Sequence, residues 1–322
     1  MIREVLDWAR RADRLVPAED RRVLFWPPAL VLRWSKYALH RALGRPIDRP
    51  ADDVTARDPE LVSIVLELFR GLARVYFRLQ VEGISNVRPG PALIVGNHSG
   101  GLLPLEGFFT ALALHEHFGS GHATFALVHD FIFDDPILRS YAGRLGMLRA
   151  GHDSARHAFE VGGSVLVYPG SDFDTFRPFR DRHKVVLGGR KGFVKLALRA
   201  GVPIQPVVTA GTHEQLVVLS RGDLLARLLR THRWMRTDVL PLVIAFPWGL
   251  TLGFVPYLPL PAQTTVHFCP PLSYPELGPE AADDPEVVDR IYREVEALMQ
   301  RELDALGSGR RFLLGKPRPR DP

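Results

Sequence analysis

The segment Gly96-Asn97-His98-Ser99-Gly100-Gly101 directly follows the apolar run Ala92-Leu93-Ile94-Val95 and carries the sharpest chemical signal in the chain. A histidine in a glycine-rich loop at a strand end suits general-base work, because its unperturbed pKa lies near neutrality. The flanking glycines let a substrate approach the backbone, whose N–H groups can then face a developing oxyanion. Ser99 and Ser171 are nucleophiles by type, but no G-x-S-x-G turn surrounds either. His115, His117, His122 and His129 cluster in sequence. Two residues apart on a helix, His115 and His117 point in different directions, which argues against a metal site. Gly188-Gly189-Arg190-Lys191-Gly192 completes no phosphate loop.

Three further segments stand in order behind this loop. They are Gly146-Met147-Leu148-Arg149, Val165-Leu166-Val167-Tyr168-Pro169-Gly170-Ser171-Asp172 and Val202-Pro203-Ile204-Gln205-Pro206-Val207-Val208. Over about residues 90–215 the chain thereby resembles the glycerolipid (PlsC-like) acyltransferase family, which has four such blocks in this order. The resemblance implies a PlsC-like acyltransferase fold. It also implies direct transfer of a fatty acyl group from acyl-CoA or acyl carrier protein to a hydroxyl of a lysophospholipid or a mono- or diacylglycerol. His98 is then the general base, a carboxylate fixes its tautomer, and no covalent enzyme intermediate is needed. No cofactor is implied beyond the thioester co-substrate, and no metal. Substrate binding falls to Asn97, Ser99, Gly100, Gly101, Arg149, Pro169, Gly170, Ser171 and Arg177.

The chain departs from the family pattern twice. The family acid stands where this sequence has Leu103, and the nearest acid is Glu106 in Leu103-Pro104-Leu105-Glu106-Gly107. That run resembles the branch acylating mono- and diacylglycerols, where Leu-Pro-x-Asp follows the histidine. One helix through residues 98–106 would hold His98 and Glu106 about 12 Å apart. Pairing therefore requires the loop to fold back at Gly100-Gly101 and a helix to start near Pro104. Asp130, Asp172 and Asp174 are the other candidate carboxylates. The third block also lacks the family's Glu and its adjacent Arg, and the next cation is Arg177. Arg177, Arg180, Arg182, Arg190 and Lys191 are candidates to neutralise a phosphate or the donor's nucleotide. The acceptor thus stays open. A glycolipid or another lipid-linked hydroxyl, and a catalytically silent lipid-binding protein, are the alternatives.

The elements that would position these residues read as an α/β domain with a mixed, largely buried sheet flanked by helices. Ala92–Val95, Thr124–Val128, Ser164–Tyr168 and Ile204–Thr209 are short apolar runs, while Leu105–His117, Ser154–Val161 and Gly192–Ala200 read as helices between them. Loops at strand ends usually carry the chemistry of such sheets. Before them, Val23–Arg45 mixes aromatic and cationic residues. Pro59–Gln80 places Leu61, Val65, Leu68, Leu72, Val75 and Leu79 at helical steps, with Arg70, Arg74 and Arg78 beside them. These patterns predict an N-terminal amphipathic, membrane-binding region over 1–80, a catalytic domain over 81–306 and a flexible tail over 307–322. Pro285–Leu306 reads as one more amphipathic helix. Val239–Pro275 holds no Lys, Arg, Asp or Glu in 37 residues. Its prolines exclude a spanning helix, so it reads as an apolar segment that lines an acyl groove or dips into the interface, ending in a strand at Thr264–Phe268.

Composition bounds these readings. With 322 residues, 46% hydrophobic and 24% charged, the chain can bury a sizeable core. Mean hydropathy near zero excludes a polytopic membrane protein. One cysteine, Cys269, excludes a disulfide framework. The net charge is +5, yet Arg139–Gly201 alone carries 12 Lys/Arg against 5 Asp/Glu. A basic middle segment suits an anionic ligand. No nucleic-acid motif accompanies it. No signal-peptide core is visible in the first residues. The expected location is the cytoplasmic face of the cell membrane, peripheral or monotopic. The partners there are a thioester donor, on CoA or acyl carrier protein, a lipid acceptor and the membrane surface.

Overall fold

The computed structural model describes residues 53–98, 101, 103–129, 131–134, 136–235 and 237–316. The predicted amphipathic segment Val23–Arg45, the loop residues Ser99 and Gly100, Asp130 and the last six residues lie outside the described residues. The elements are α1 (Pro59–Val75), β1 (Gln80–Glu82), β2 (Leu93–Gly96), α2 (Leu105–Phe118), β3 (Thr124–Val128), α3 (Phe131–Asp134), α4 (Pro136–Arg144), β4 (Met147–Arg149), α5 (His152–Glu160) and β5 (Ser164–Val167). They continue with α6 (Ser171–Thr175), α7 (Gly192–Ala200), β6 (Ile204–Ala210), β7 (Val217–Ser220), α8 (Asp223–Leu229), α9 (Thr231–Met235), β8 (Leu242–Ala245), β9 (Gly249–Leu252), β10 (Thr265–Phe268) and α10 (Pro285–Gly307).

Seven strands form one sheet in the order β1-β10-β6-β2-β5-β3-β4. Every neighbouring pair is parallel except β10 with β6. The sheet is therefore mixed, as expected. Side chains alternate faces along a strand. Leu93, Val95, Val165 and Val208 enter one core with α5, α7 and α10, while Ile94, Leu166 and Val207 enter the other with α1 and α2. Burial on both faces explains why these strands read as unbroken apolar runs.

Two boundaries differ from the sequence reading. α1 packs on α2 and belongs to the second core, so residue 80 does not divide two regions. It is capped by Asp58, whose carboxylate accepts from the N–H groups of Glu60 and Leu61. The helix stops at Val75, five residues short of the predicted end, where Arg78 takes a left-handed φ of 46°. At the other end, residues 307–316 are not a loose tail. Arg310 is buried against Glu214 at 2.6 Å, and the Leu313 N–H donates to the same carboxylate at 2.7 Å.

Within the charge-free run Val239–Pro275, Leu242–Ala245 and Gly249–Leu252 form a β-hairpin that the sequence reading does not expect. Residues 253–264, with Pro256, Pro259 and Pro261, form no helix or strand, in line with the proline-bent reading. β8 and β9 pair antiparallel with each other, and β7 completes a separate three-stranded sheet. The chain then crosses to β10, one residue inside the predicted strand.

Candidate active site

β2, β5 and β6 are neighbours in the sheet, so the residues following β2 and β5 gather at one edge. Gly96 ends β2, and a Cβ there would overlap the Tyr168 ring, which follows β5. Glycine thus lets the tyrosine lie across the strand end. Its ring stacks on the His98 imidazole, with centroids 5.0 Å apart and planes at 28°. Asn97 is wholly buried and binds the Thr209 backbone on β6 through both amide atoms, at 2.7 and 3.1 Å. The base of the loop is therefore tied to both neighbouring strands.

The loop then reverses. Gly101 has φ +84°, Pro104 occupies the N-cap, and α2 starts at Leu105. Glu106 consequently sits in the first helical turn, where the positive end of the helix dipole favours a carboxylate. It is fully buried, and its Oε1 contacts Nδ1 of His98, whose side chain is 22% exposed. A buried carboxylate on Nδ1 fixes the tautomer and leaves Nε2 as the nitrogen for a reacting proton.

A second carboxylate serves the backbone of the same histidine. Asp174 in α6, wholly buried, accepts the His98 main-chain N–H and also pairs with Arg177. Arg177 is 2% exposed and donates further to the Arg182 carbonyl at 3.3 Å. Burial holds its pKa down at about 9, with Asp181 and Glu106 acting in the opposite direction. Arg177 thus braces the loop from inside rather than facing a ligand from the surface. His213, beyond β6, is wholly buried beside the His98 backbone. Desolvation and the nearby Arg177 charge push its pKa well below the ordinary value, so it is neutral. Burial, aided by Glu106, likewise raises the Tyr168 phenol.

The remaining predicted residues spread along the same edge. Pro169 and Gly170 are buried behind Tyr168. The Pro169 carbonyl accepts from Arg190 at 2.9 Å, and a Cβ on Gly170 would overlap Val186 and Asp174. Ser171 holds a left-handed φ of 49°, a conformation costly for a residue with a side chain and common at functional turns. Arg149 ends β4, three strands from β2, or about 14 Å across the sheet. Its guanidinium lies 6.0 Å from the Phe133 ring centre. Of the other carboxylates considered, Asp172 accepts from the Thr237 hydroxyl at 3.1 Å and is not on the imidazole. Sequence reasoning assigned no role to Tyr168, Thr209 or His213. By type and position Asp174 reads as a substitute for Glu106, and nothing in its spacing points to a main-chain N–H.

Comparison with known proteins places this geometry in context. A family model described as "Diacylglycerol acyltransferase" matches residues 43–266. An uncharacterized protein of Mycobacterium tuberculosis is 32% identical over 256 residues, spanning 79% of this chain and 69% of that one. Diacylglycerol O-acyltransferase 2 of Homo sapiens is 26% identical over 239 residues, spanning 69% of this chain and 59% of that one. Among solved structures, the 1-acyl-sn-glycerophosphate acyltransferase PlsC of Thermotoga maritima aligns with a TM-score of 0.45 and 18% identity, over 77% of this chain and 81% of that one.

Proposed function

Because the chain belongs to the diacylglycerol acyltransferase family and is thus a glycerolipid O-acyltransferase, we propose that it esterifies a free hydroxyl of a mono- or diacylglycerol with an acyl group from a thioester, acyl-CoA or acyl carrier protein. The observation carrying this reading is Glu106 on Nδ1 of His98, which leaves Nε2 for the acceptor hydroxyl. In the reaction the hydroxyl oxygen bonds to the thioester carbonyl carbon while its proton passes to Nε2. The tetrahedral adduct then expels the thiolate, which takes that proton back as the free thiol. Glu106 offsets the imidazolium charge in between. Two features favour an uncharged acceptor over a lysophospholipid: the sequence lacks the family's phosphate-pocket Glu and Arg, and Arg177 is engaged by Asp174. We place the enzyme at a membrane surface through interfacial contact; among the described residues no helix is long and apolar enough to cross a membrane.

The test incubates the purified chain with labelled acyl-CoA, or acyl carrier protein, and a panel of mono-, diacyl- and lysophospho-glycerides and a glycolipid. Thiol release that requires a neutral glyceride supports the proposal. Release without acceptor makes the chain a thioesterase, and no release with any donor makes it a lipid binder. His98→Ala should fold normally by circular dichroism and lose about 10²–10⁴ in transfer rate, the usual worth of a general base. Full activity in that variant removes His98 from the mechanism.

A further inference from the structure

An antiparallel sheet with one face on a core ordinarily turns polar residues outward. The sheet β7–β8–β9 does not. Its inward row, Val218–Val243–Thr251, faces a core that includes Phe176, Leu216 and Tyr257. The outward row, Val217–Ile244–Leu250, and the adjacent pair Leu242–Leu252 are also apolar. Leu250 is 64% exposed, and at the hairpin tip Phe246 and Trp248 are 58% and 60% exposed. Beside the sheet, α8 turns Leu224 and Leu228, one helical turn apart, to solvent. An exposed apolar sheet face of this kind marks an interaction site.

Charge indicates the partner. Residues 215–275 carry five Lys/Arg and two Asp/Glu. One of the two acids, Asp223, is paired with Arg221 at 3.1 Å. Arg227, Arg230 and Arg233 are exposed around the Leu224 and Leu228 face. An apolar face bordered by cations complements the hydrocarbon and anionic headgroups of a bilayer. A second copy of the chain would instead oppose like-charged borders. The face also extends toward α1. The Leu258 N–H donates to the Phe246 carbonyl at 2.9 Å, and the Tyr76 hydroxyl, just past α1, donates to the Pro259 carbonyl at 2.7 Å. The exposed Leu72 and Val75 of α1 therefore adjoin the same strip.

We infer that the outer face of β7–β8–β9, with the exposed edge of α8, docks on an anionic lipid bilayer. On the inner side Leu216 and Tyr257 press against Gly101, so a single sheet layer, about 10 Å, separates the bilayer from the His98 loop. The reason for that proximity rests on the transfer reaction proposed above; the docking itself does not.

The test uses the full chain, whose native Cys269 is buried. Leu250→Cys takes a nitrobenzoxadiazole label at the centre of the face, and Glu286→Cys carries the same label at the exposed start of α10. On adding phosphatidylcholine vesicles containing phosphatidylglycerol, the label at 250 should brighten severalfold and shift to the blue while the label at 286 does not. A label at 250 that still reports water overturns the inference. In a second arm, Ile244→Ser/Leu250→Ser/Leu252→Ser should keep its circular dichroism spectrum and lose about tenfold or more in vesicle co-sedimentation, given three apolar side chains withdrawn from lipid. Unchanged co-sedimentation overturns the inference. So does a wild-type dimer that this variant converts to a monomer with vesicle binding intact. Transfer by the variant should persist on detergent-dispersed substrates and fall on vesicles. Absence of transfer in both wild type and variant would count against the reaction, while the label would still report docking.

Discussion

Glu106 and His98 stand eight residues apart in the chain and share one contact because a loop reverses between them. Replacing the carboxylate by an amide tests what that contact does. Glu106→Gln keeps the volume but removes the charge that stabilises the imidazolium, and its amide can donate to Nδ1 and so select the wrong tautomer. We expect a fall in kcat of about 10²–10⁴ with little change in KM, read from steady-state kinetics. Asp174 and Arg177 pose a separate question, since they touch each other and the loop backbone. Removing either partner leaves the other charge buried, at a cost of about 3–5 kcal/mol. Asp174→Asn and Arg177→Met should each show that loss in urea melts, and the double variant should lose clearly less than the sum. Additive losses would mean that the pair is not coupled. At this scale the sequence was informative about residue types and poor about pairings. His98 was legible from its loop, and Glu106 only as the nearest acid. The Asp174 bond to a main-chain N–H leaves no trace in side-chain spacing.

The strands written as apolar runs were the ones legible beforehand, and in β2, β5 and β6 burial on two sides forces such a run. β3 was matched residue for residue, and β2, β5 and β6 to within one residue at each end. The hairpin β8–β9 escaped for a related reason. With apolar residues on both of its faces too, it lacked the alternation that betrays a half-buried strand, and its prolines argued against regular structure. β1, three residues long and polar, carried too little pattern to register. Glycine placement offers the sharpest test of how the elements hold the site. A Cβ at Gly96 would overlap the Tyr168 ring, whereas one at Gly107 in α2 would sit in ordinary contact with it, 3.8 Å away. Gly96→Ala should therefore displace the tyrosine from His98, lowering both Tm and transfer activity. Gly107→Ala should instead raise stability by a few tenths to about 1 kcal/mol, because alanine is the better helix former. Equal effects from the two substitutions would show that the packing of Tyr168 on the end of β2 is not what Gly96 provides.

Across the whole molecule, three cations of the basic middle segment are met by acids from other parts of the chain. Arg144 meets Asp58 at 2.7 Å, Arg199 meets Asp283 at 2.7 Å, and Lys191 pairs with Asp289. A charge surplus counted along the sequence is thus not a ligand site by itself, since folding brings distant carboxylates to it. Histidines give the molecule a different global property. Burial depresses the pKa of His115, His122 and His213, and brings His183 down to about 4, with Arg182, Arg310 and Arg177 adding to the effect there. Above the ordinary histidine pKa of about 6.5 these groups are neutral in both the folded and the unfolded chain, and they impose no pH dependence. Below it the unfolded chain takes up protons that the folded chain refuses, so stability falls as pH falls, by at most about 1.4 kcal/mol per pH unit for each histidine. For His183 the loss runs from about 6.5 down to about 4. Carboxylates held low by hydrogen bonds and ion pairs, such as Asp58 and Asp181, add their own losses only below that window. Thermal melts stepped from pH 8 to pH 4 should accordingly show a flat Tm down to about 6.5 and a steady decline beneath it. His183→Gln should flatten part of that decline, because glutamine has no proton to gain. A Tm that stays level down to the carboxylate range would mean that these histidines are protonated as readily in the folded chain as in the unfolded one.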